Sequence, residues 1–396
     1  MISNPAGMSG VPGARASLGE IAWAFLKLGT VAFGGPAAHI ALMEEEFVHH
    51  RQWLTHQEFL DRLGAANLIP GPSSTEMAIY IGYTKRGWPG LMVAGSCFII
   101  PAAILVTAIA AAYVRYGHLP RVGGVLYGVK PVVVAVIVQA FWKLARSAVK
   151  SAWLIAIGVL AAILCARGVN NLLVLVLAAA LAVIPIFWNR VKQSSLSALL
   201  PAGAVSWKFS AWLLGAGIGA AVVPFSLTRL FFTFLKIGSV LFGSGYVLLA
   251  FLRSDFVVRL HWLTAQQLLD SVAVGQVTPG PVFTTATFIG YILGGVPGAA
   301  VATVAIFLPG FLLVAASGRF IPKIRSSAIA GAMLDGVIVG SLALIGVVTW
   351  QLGRAALIDP LTVALAIVSV VLLLWKRVNA AWLIAAAAVA GMLHGV

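Results

Sequence analysis

From Pro89 to Val114, and again from Ala380 to Val396, the chain runs without a single Lys, Arg, Asp or Glu. A helix needs about 20 apolar residues to cross the hydrocarbon of a bilayer. Apolar runs of comparable length, each with a single charged residue, cover Gly124 to Phe141 and Leu357 to Trp375. Of all residues, 61% are hydrophobic and 9% charged, against about 25% charged in soluble domains. The sequence predicts an all-α polytopic membrane protein. No cleaved leader is expected, because Met1 to Ser17 holds one basic residue, Arg15, and no cleavage pattern follows. Cys97 and Cys165 both fall in apolar runs and give neither a disulfide framework nor a metal spacing. His49, His50 and His56 read as a solvated loop.

The chain repeats itself. "FLKLGTVAFGG" at Phe25 returns as "FLKIGSVLFGS" at Phe234. "WLTHQEFLD" at Trp53 returns as "WLTAQQLLD" at Trp262, and "IPGP" at Ile69 as "TPGP" at Thr278. The spacing holds except for one residue slipped between Thr75 and Ala78. Such a long match signals duplication. The expected organisation is a tail over 1–17, a first repeat over 18–189, a basic linker with an extra span over 190–228, and a second repeat over 229–396.

Spans are read near Ile21–Met43, Gln57–Tyr83, Pro89–Val114, Gly124–Trp142, Ala152–Ala166, Asn171–Trp188 and Trp207–Pro224. In the second half they fall near Leu230–Leu252, Gln267–Ile292, Pro297–Ala316, Gly331–Trp350, Leu357–Trp375 and Ala380–Val396, about thirteen in all. The net charge of +15 has a topological reading, since Lys and Arg hold loops in the cytoplasm. With the N-terminus inside, the inner loops receive most of the cations, including Lys85, Arg86, Lys143, Arg146, Lys150, Arg253 and Arg259. The outer loops keep Arg51, Arg115, Arg121, Arg167, Arg229 and Arg354. Equivalent loops carry opposite charge bias, as "YTKRGW" against "YILGGV" illustrates. Inverted repeats predict that swap. Trp207–Pro224 is the odd span that would turn the second copy over and leave the C-terminus outside.

The informative stretch is "NLIPGPSSTEM", Asn67 to Met77, with its mate "QVTPGPVFTTA", Gln276 to Ala286. Irregular backbone at membrane depth survives only where it lines a cavity or is buried in protein. Pro70, Pro72, Pro279 and Pro281 break the helix. Gly71 and Gly280 permit the turn. The hydroxyls of Ser73, Ser74, Thr75, Thr284 and Thr285 then start a half-helix. A helix N-terminus carries about half a positive charge and free N–H donors. Two such ends leave a dianion undercompensated. Lys27 and Lys236, at equivalent places, are the candidate cations, beside the turns at Gly34, Gly35, Gly243 and Ser244. Asn67 and Gln276 complete the candidate binding set. Lys27 reads equally well as snorkelling to the interface. Glu76 has no acidic mate. It is a candidate for carrying a proton, or for accepting from a neighbouring hydroxyl, or for pairing with Arg62. Asp61 and Asp270 recur near a loop and read as helix caps.

The motifs "FGGPAAHIALMEEEFV", "PGPSSTEMAIYIGY", "GWPGLMVAGSCFIIPA", "TPGPVFTTATFIGY" and "PGAAVATVAIFLPGFLLV" resemble the chromate ion transporter family in its long, two-domain form. The resemblance covers both repeats. It implies export of chromate across the inner membrane, driven by the proton-motive force or by exchange with sulfate, with homodimers in some members. No cofactor and no metal are expected. The partners are a small oxyanion and the lipid bilayer, not nucleic acid. No P-loop is present, so ATP does not drive the chain by itself. Two alternatives are weighed. A sulfate importer of the same fold is not separated by sequence, because both anions are tetrahedral dianions. An intramembrane lipid-pyrophosphate phosphatase would need a nucleophile or acid–base partner beside the turns, and neither turn has a histidine near it in sequence.

Overall fold

The computed structural model describes residues 16–33, 35–117, 119–193, 224–242, 245–317, 327–376 and 378–394. Among them there are helices and no strands. The first half contains α1 (Leu18–Val31), α2 (Pro36–Glu44, running on as a π-helical turn Glu45–His50), α3 (His56–Ala66) and α4 (Ser73–Tyr116). It closes with α5 (Pro120–Ala148), α6 (Ala152–Ala166) and α7 (Asn171–Gln193). The second half contains α8 (Leu227–Val240), α9 (Leu248–Leu252, running on as a π-helical turn Arg253–Arg259), α10 (Ala265–Val277) and α11 (Thr285–Ser317). It closes with α12 (Ala328–Ala356), α13 (Pro360–Val371) and α14 (Ala380–His394).

The helices of the two halves begin alike. Thr55 and Thr264 each close a capping box, on Glu58 and Gln267. These caps satisfy N–H groups that a helix start leaves orphaned. Both long helices then fold back on themselves. Arg86 and Gly87 interrupt α4, and Gly294 and Gly295 interrupt α11. Gly87 at φ 59° and Gly295 at φ 61° take the left-handed conformation open to glycine. The legs close until a Cβ added at Gly82 would lie 2.3 Å from the Gly90 carbonyl oxygen, and one at Gly290 would lie 2.3 Å from that of Gly298. Only glycines allow backbones that near.

Four stretches read as single crossings double back instead: Ile21–Met43, Gln57–Tyr83, Leu230–Leu252 and Gln267–Ile292. The Phe25 and Phe47 rings stand 4.9 Å apart, as do those of Phe234 and Phe256. Arg62 Nε donates to Thr84 Oγ1 at 2.8 Å. Phe225 touches both Trp262 before α10 and Gly294 after it. Each stretch is therefore a hairpin of two short helices. The physical reason is that an apolar run of crossing length fits two half-length helices as well as one long one. The correction moves cations too. Arg51 joins the end where α1 starts, and Arg259 shares a cavity with Arg229.

The hairpins of the two halves open at opposite ends of the molecule. Those of the first half open at the proximal end, where Arg86 Nε donates to the Ala16 carbonyl at 2.9 Å. Those of the second open at the distal end, where Tyr113, near the far tip of α4, donates to Asp270 on α10 at 2.8 Å. Helices α5 and α12 pack antiparallel, with Phe141 facing Gly346 and Val134 facing Gly353. The last helix of each half lies on the other half. A Cβ at Gly128 would meet the Ala387 carbonyl oxygen of α14 at 1.9 Å, and one at Gly336 would meet that of Ala178 on α7 at 2.4 Å. Small residues allow this close helix packing where lipid gives no hydrophobic drive.

Five helices among the described residues are long and apolar enough to cross a membrane. Helix α7 ends at the proximal end, because Ala182 meets Gly336 next to the Lys150–Asp335 ion pair at the end of α5. Helix α8 starts at the distal end. The extra span expected at Trp207–Pro224 lies, except for Pro224, outside the described residues.

Candidate functional site

The four hairpin tips meet inside the molecule. Proline has no N–H, so Gly71 and Gly280 carry the donors of their turns. Gly71 N–H donates to the Leu241 carbonyl at 2.7 Å, and Gly280 N–H to the Ala32 carbonyl at 2.9 Å. Ala32 and Leu241 are the residues that end α1 and α8, where helix carbonyls lack partners. Each proline-flanked turn thus satisfies the broken helix of the other half. Gly71 at φ 138° and Gly280 at φ 87° need glycine for this conformation.

Around this brace the first half is the more elaborate. Buried His39 sets its Nε2 3.1 Å from the Ala32 carbonyl oxygen and its Nδ1 3.3 Å from Ser74 Oγ. The carbonyl fixes Nε2 as the donor and leaves Nδ1 to accept from the serine. Thr75 Oγ1 and both oxygens of fully buried Glu76 have no hydrogen-bond partner among the described residues. Glu76 lies over Gly71, where an added Cβ would come within 1.8 Å of Oε1, and beside Gly310 of α11. Neither a hydroxyl nor Arg62 reaches it, contrary to two of the readings of the sequence. Arg62 is spent on Thr84 and on the Glu58 carbonyl.

In the second half Thr284 and Thr285 donate to the Pro281 and Val282 carbonyls, both at 2.8 Å, so their protons are used within the turn. Ser73 is the first residue of α4, and exposed Asn67 ends α3. Pro70, Pro72, Pro279 and Pro281 flank the two turn glycines. Gly35 begins α2. Gly34, Gly243 and Ser244 lie outside the described residues.

The two candidate lysines are engaged elsewhere. Lys27 pairs with Glu46 at 3.3 Å and Lys236 with Asp255 at 2.6 Å. Each carboxylate takes a second cation, Arg51 at 2.7 Å and Arg259 at 3.0 Å. Neither pair involves a turn residue.

Next to the second turn lies a cavity of about 660 Å³, lined among others by Ala38, Gln139, Lys143, Arg146, Tyr246, Gln276 and Asn379. Tyr246 donates to Gln276 Oε1 at 3.4 Å, and the Gln276 Nε2 has no partner among the described residues. A larger groove, of about 990 Å³, is lined mainly by apolar side chains of α6 and α12 and by none of the turn residues.

On the distal side a buried cluster joins the halves. Asp270 is no helix cap. Its Oδ2 accepts from Tyr113, and its Oδ1 lies 3.0 Å from Lys130 Nζ, an ion contact outside hydrogen-bond geometry. Lys130 has Ile338 as its counterpart on α12, so the contact has no twin.

The sequence reading passed over His39, Lys130 and Tyr246. One signal was available: a lone histidine in "GGPAAHIALM" and a lone lysine in "YGVKPVVV" both stand in apolar surroundings, and intramembrane ionisable groups are costly.

One family model, described as chromate transporter, matches the chain twice, over residues 19–184 and 228–392. A chromate transport protein of Cupriavidus metallidurans is 33% identical over 386 residues, covering 95% of this chain and 93% of that one. A probable chromate transport protein of Synechococcus elongatus is 32% identical, with 95% of each chain covered. A chromate transport protein of Pseudomonas aeruginosa is 32% identical over 93% of this chain and 90% of its own. No solved structure matches. The double match and the full-length likeness leave one conclusion: this multi-pass membrane protein belongs to the chromate transporter family.

Proposed function

We propose that this chain is a secondary transporter that carries chromate outward across the inner membrane by alternating access of two inverted halves. The observation that carries the reading is the reciprocal brace, Gly71 to Leu241 and Gly280 to Ala32, at the meeting of four helix ends. Broken helices from inverted repeats form anion sites near the midplane in secondary transporters. Support for the inversion comes from hairpins that open at opposite ends and from the antiparallel α5 and α12. Ser73 and Thr75, at the start of α4, hold the anion between the halves, because Thr75 Oγ1 has no partner among the described residues. The donors of Gly71, Ser74, Gly280, Thr284 and Thr285 are spent within the brace, and those residues shape the turns. Lys27 and Lys236 contribute at longer range.

The proximal end faces the cytoplasm in this reading, because Lys85, Arg86, Lys143, Arg146 and Lys150 gather there. In the cycle, the anion arrives through the basic cavity, the halves rock, and the distal Lys130–Asp270 contact opens. Proton influx at Glu76, or sulfate in exchange, drives the step. The test is uptake of labelled chromate and sulfate into inside-out proteoliposomes under imposed pH and sulfate gradients. Chromate accumulation under at least one gradient is expected. No chromate movement under any gradient sinks the reading.

A further inference from the structure

The charge balance at the turns is incomplete. Two helix ends supply roughly one positive charge between them, and Lys27 and Lys236 are held by Glu46 and Asp255 in ion pairs that involve no turn residue. A doubly charged guest in a low-dielectric interior needs more. The cavity beside Gln276 offers it. Among the described residues its lining holds two cations, Lys143 and Arg146, and no carboxylate. Neither cation has an ion-pair partner among the described residues. Gln139, Lys143 and Arg146 recur at helical spacing, so they form one stripe on α5. Arg146 keeps its guanidinium 5.0 Å from the Trp142 ring, a cation–π contact that is no hydrogen bond and so does not consume its N–H donors. Deeper in, the Gln276 amide has an unused donor. The Tyr246 hydroxyl stands between Gln276 and Gly35, 3.9 Å from a Cβ built on Gly35. The stripe thus leads from cations near the proximal end to donors at the turn.

We infer that this cavity is an anion-binding vestibule, in which Lys143 and Arg146 capture a tetrahedral dianion and Gln276 receives it at the turn. The inference deepens the transport reading and rests on it. Arg146 contributes paired donors that suit an oxyanion edge, and Lys143 a point charge.

The test is equilibrium binding of radiolabelled chromate and, separately, sulfate to the purified full-length protein in nanodiscs. Lys143→Gln and Arg146→Gln are each expected to weaken binding about ten-fold, and the double variant about a hundred-fold, the size of a lost hydrogen bond to a charged group. Lys143→Arg keeps most of the affinity. Lys150→Gln removes an equal charge from an ion pair outside the cavity and stays within about two-fold, since exposed pairs weigh little. Binding weakens as salt rises. If the wild type binds an anion and the double variant binds it equally well, the vestibule is overturned and the transport reading stands. If sulfate binds through Lys143 and Arg146 but chromate is not carried, the vestibule stands and the chromate reading falls. If neither anion binds the wild type, both fall. As a second readout, Asn379→Cys in a Cys97→Ser/Cys165→Ser background is expected to react with an anionic thiol reagent, and sulfate slows that reaction. Labelling indifferent to sulfate also counts against the vestibule.

Discussion

At the residue scale Glu76 is the oddest feature. It is buried against two glycines with no donor on either oxygen among the described residues. An unsatisfied buried polar group costs about 1–3 kcal/mol, so the position calls for a role. Tyr80, one turn further along α4, is bonded to Ser317. A carboxyl that takes up and releases a proton as the halves rock fits this setting. Glu76→Gln preserves the shape and removes the titration. Its chromate flux is expected to persist in proteoliposomes and to lose the acceleration that an imposed pH gradient gives the wild type. Flux that still follows the gradient as in the wild type rules Glu76 out as the proton carrier. The sequence singled out Glu76 as a carboxyl in an apolar stretch, without an acidic mate in the other repeat. It did not disclose that the carboxyl lies beside Gly310, which comes from the other half of the chain.

At the scale of elements the hairpins decide the architecture. Hydropathy reads total apolar length, and "IAWAFLKLGTVAFGGPAAHIALM" has enough for one crossing. The clue to a fold-back was the pairing of Lys27 with Glu46, seen only once the two short helices lie side by side. The same scale holds the distal contact of Lys130 on α5 with Asp270 on α10. Both side chains are largely buried, at 17% and 5% exposed. Breaking one partner of a buried pair costs about 3–5 kcal/mol, while replacing both with apolar groups is often neutral. Lys130→Met is therefore expected to lower the unfolding temperature of the purified protein, and Lys130→Met/Asp270→Leu to recover most of the loss. A double variant as unstable as the single would mean that packing, not charge, holds α5 to α10.

At the scale of the whole molecule, topology is the testable claim. Thr55 and Thr264 occupy the same place in the two repeats, each capping the helix before its proline-flanked turn. Thr55→Cys and Thr264→Cys, each in a background without Cys97 and Cys165, are expected to react with a membrane-impermeant reagent from opposite faces of the cell membrane. Reaction from the same face refutes the inversion. The sequence by itself determined the membrane class, the duplication and the places where helices break, because apolar length, repeated motifs and proline chemistry are local properties of the chain. Only the tertiary structure decided that each turn is satisfied by the opposite half, that Lys27 and Lys236 are engaged by Glu46 and Asp255 rather than by the turns, and that Lys143 and Arg146 line a cavity beside Gln276. Those facts depend on contacts between residues far apart in the chain, and no local pattern encodes which carboxylate or carbonyl a buried group will meet.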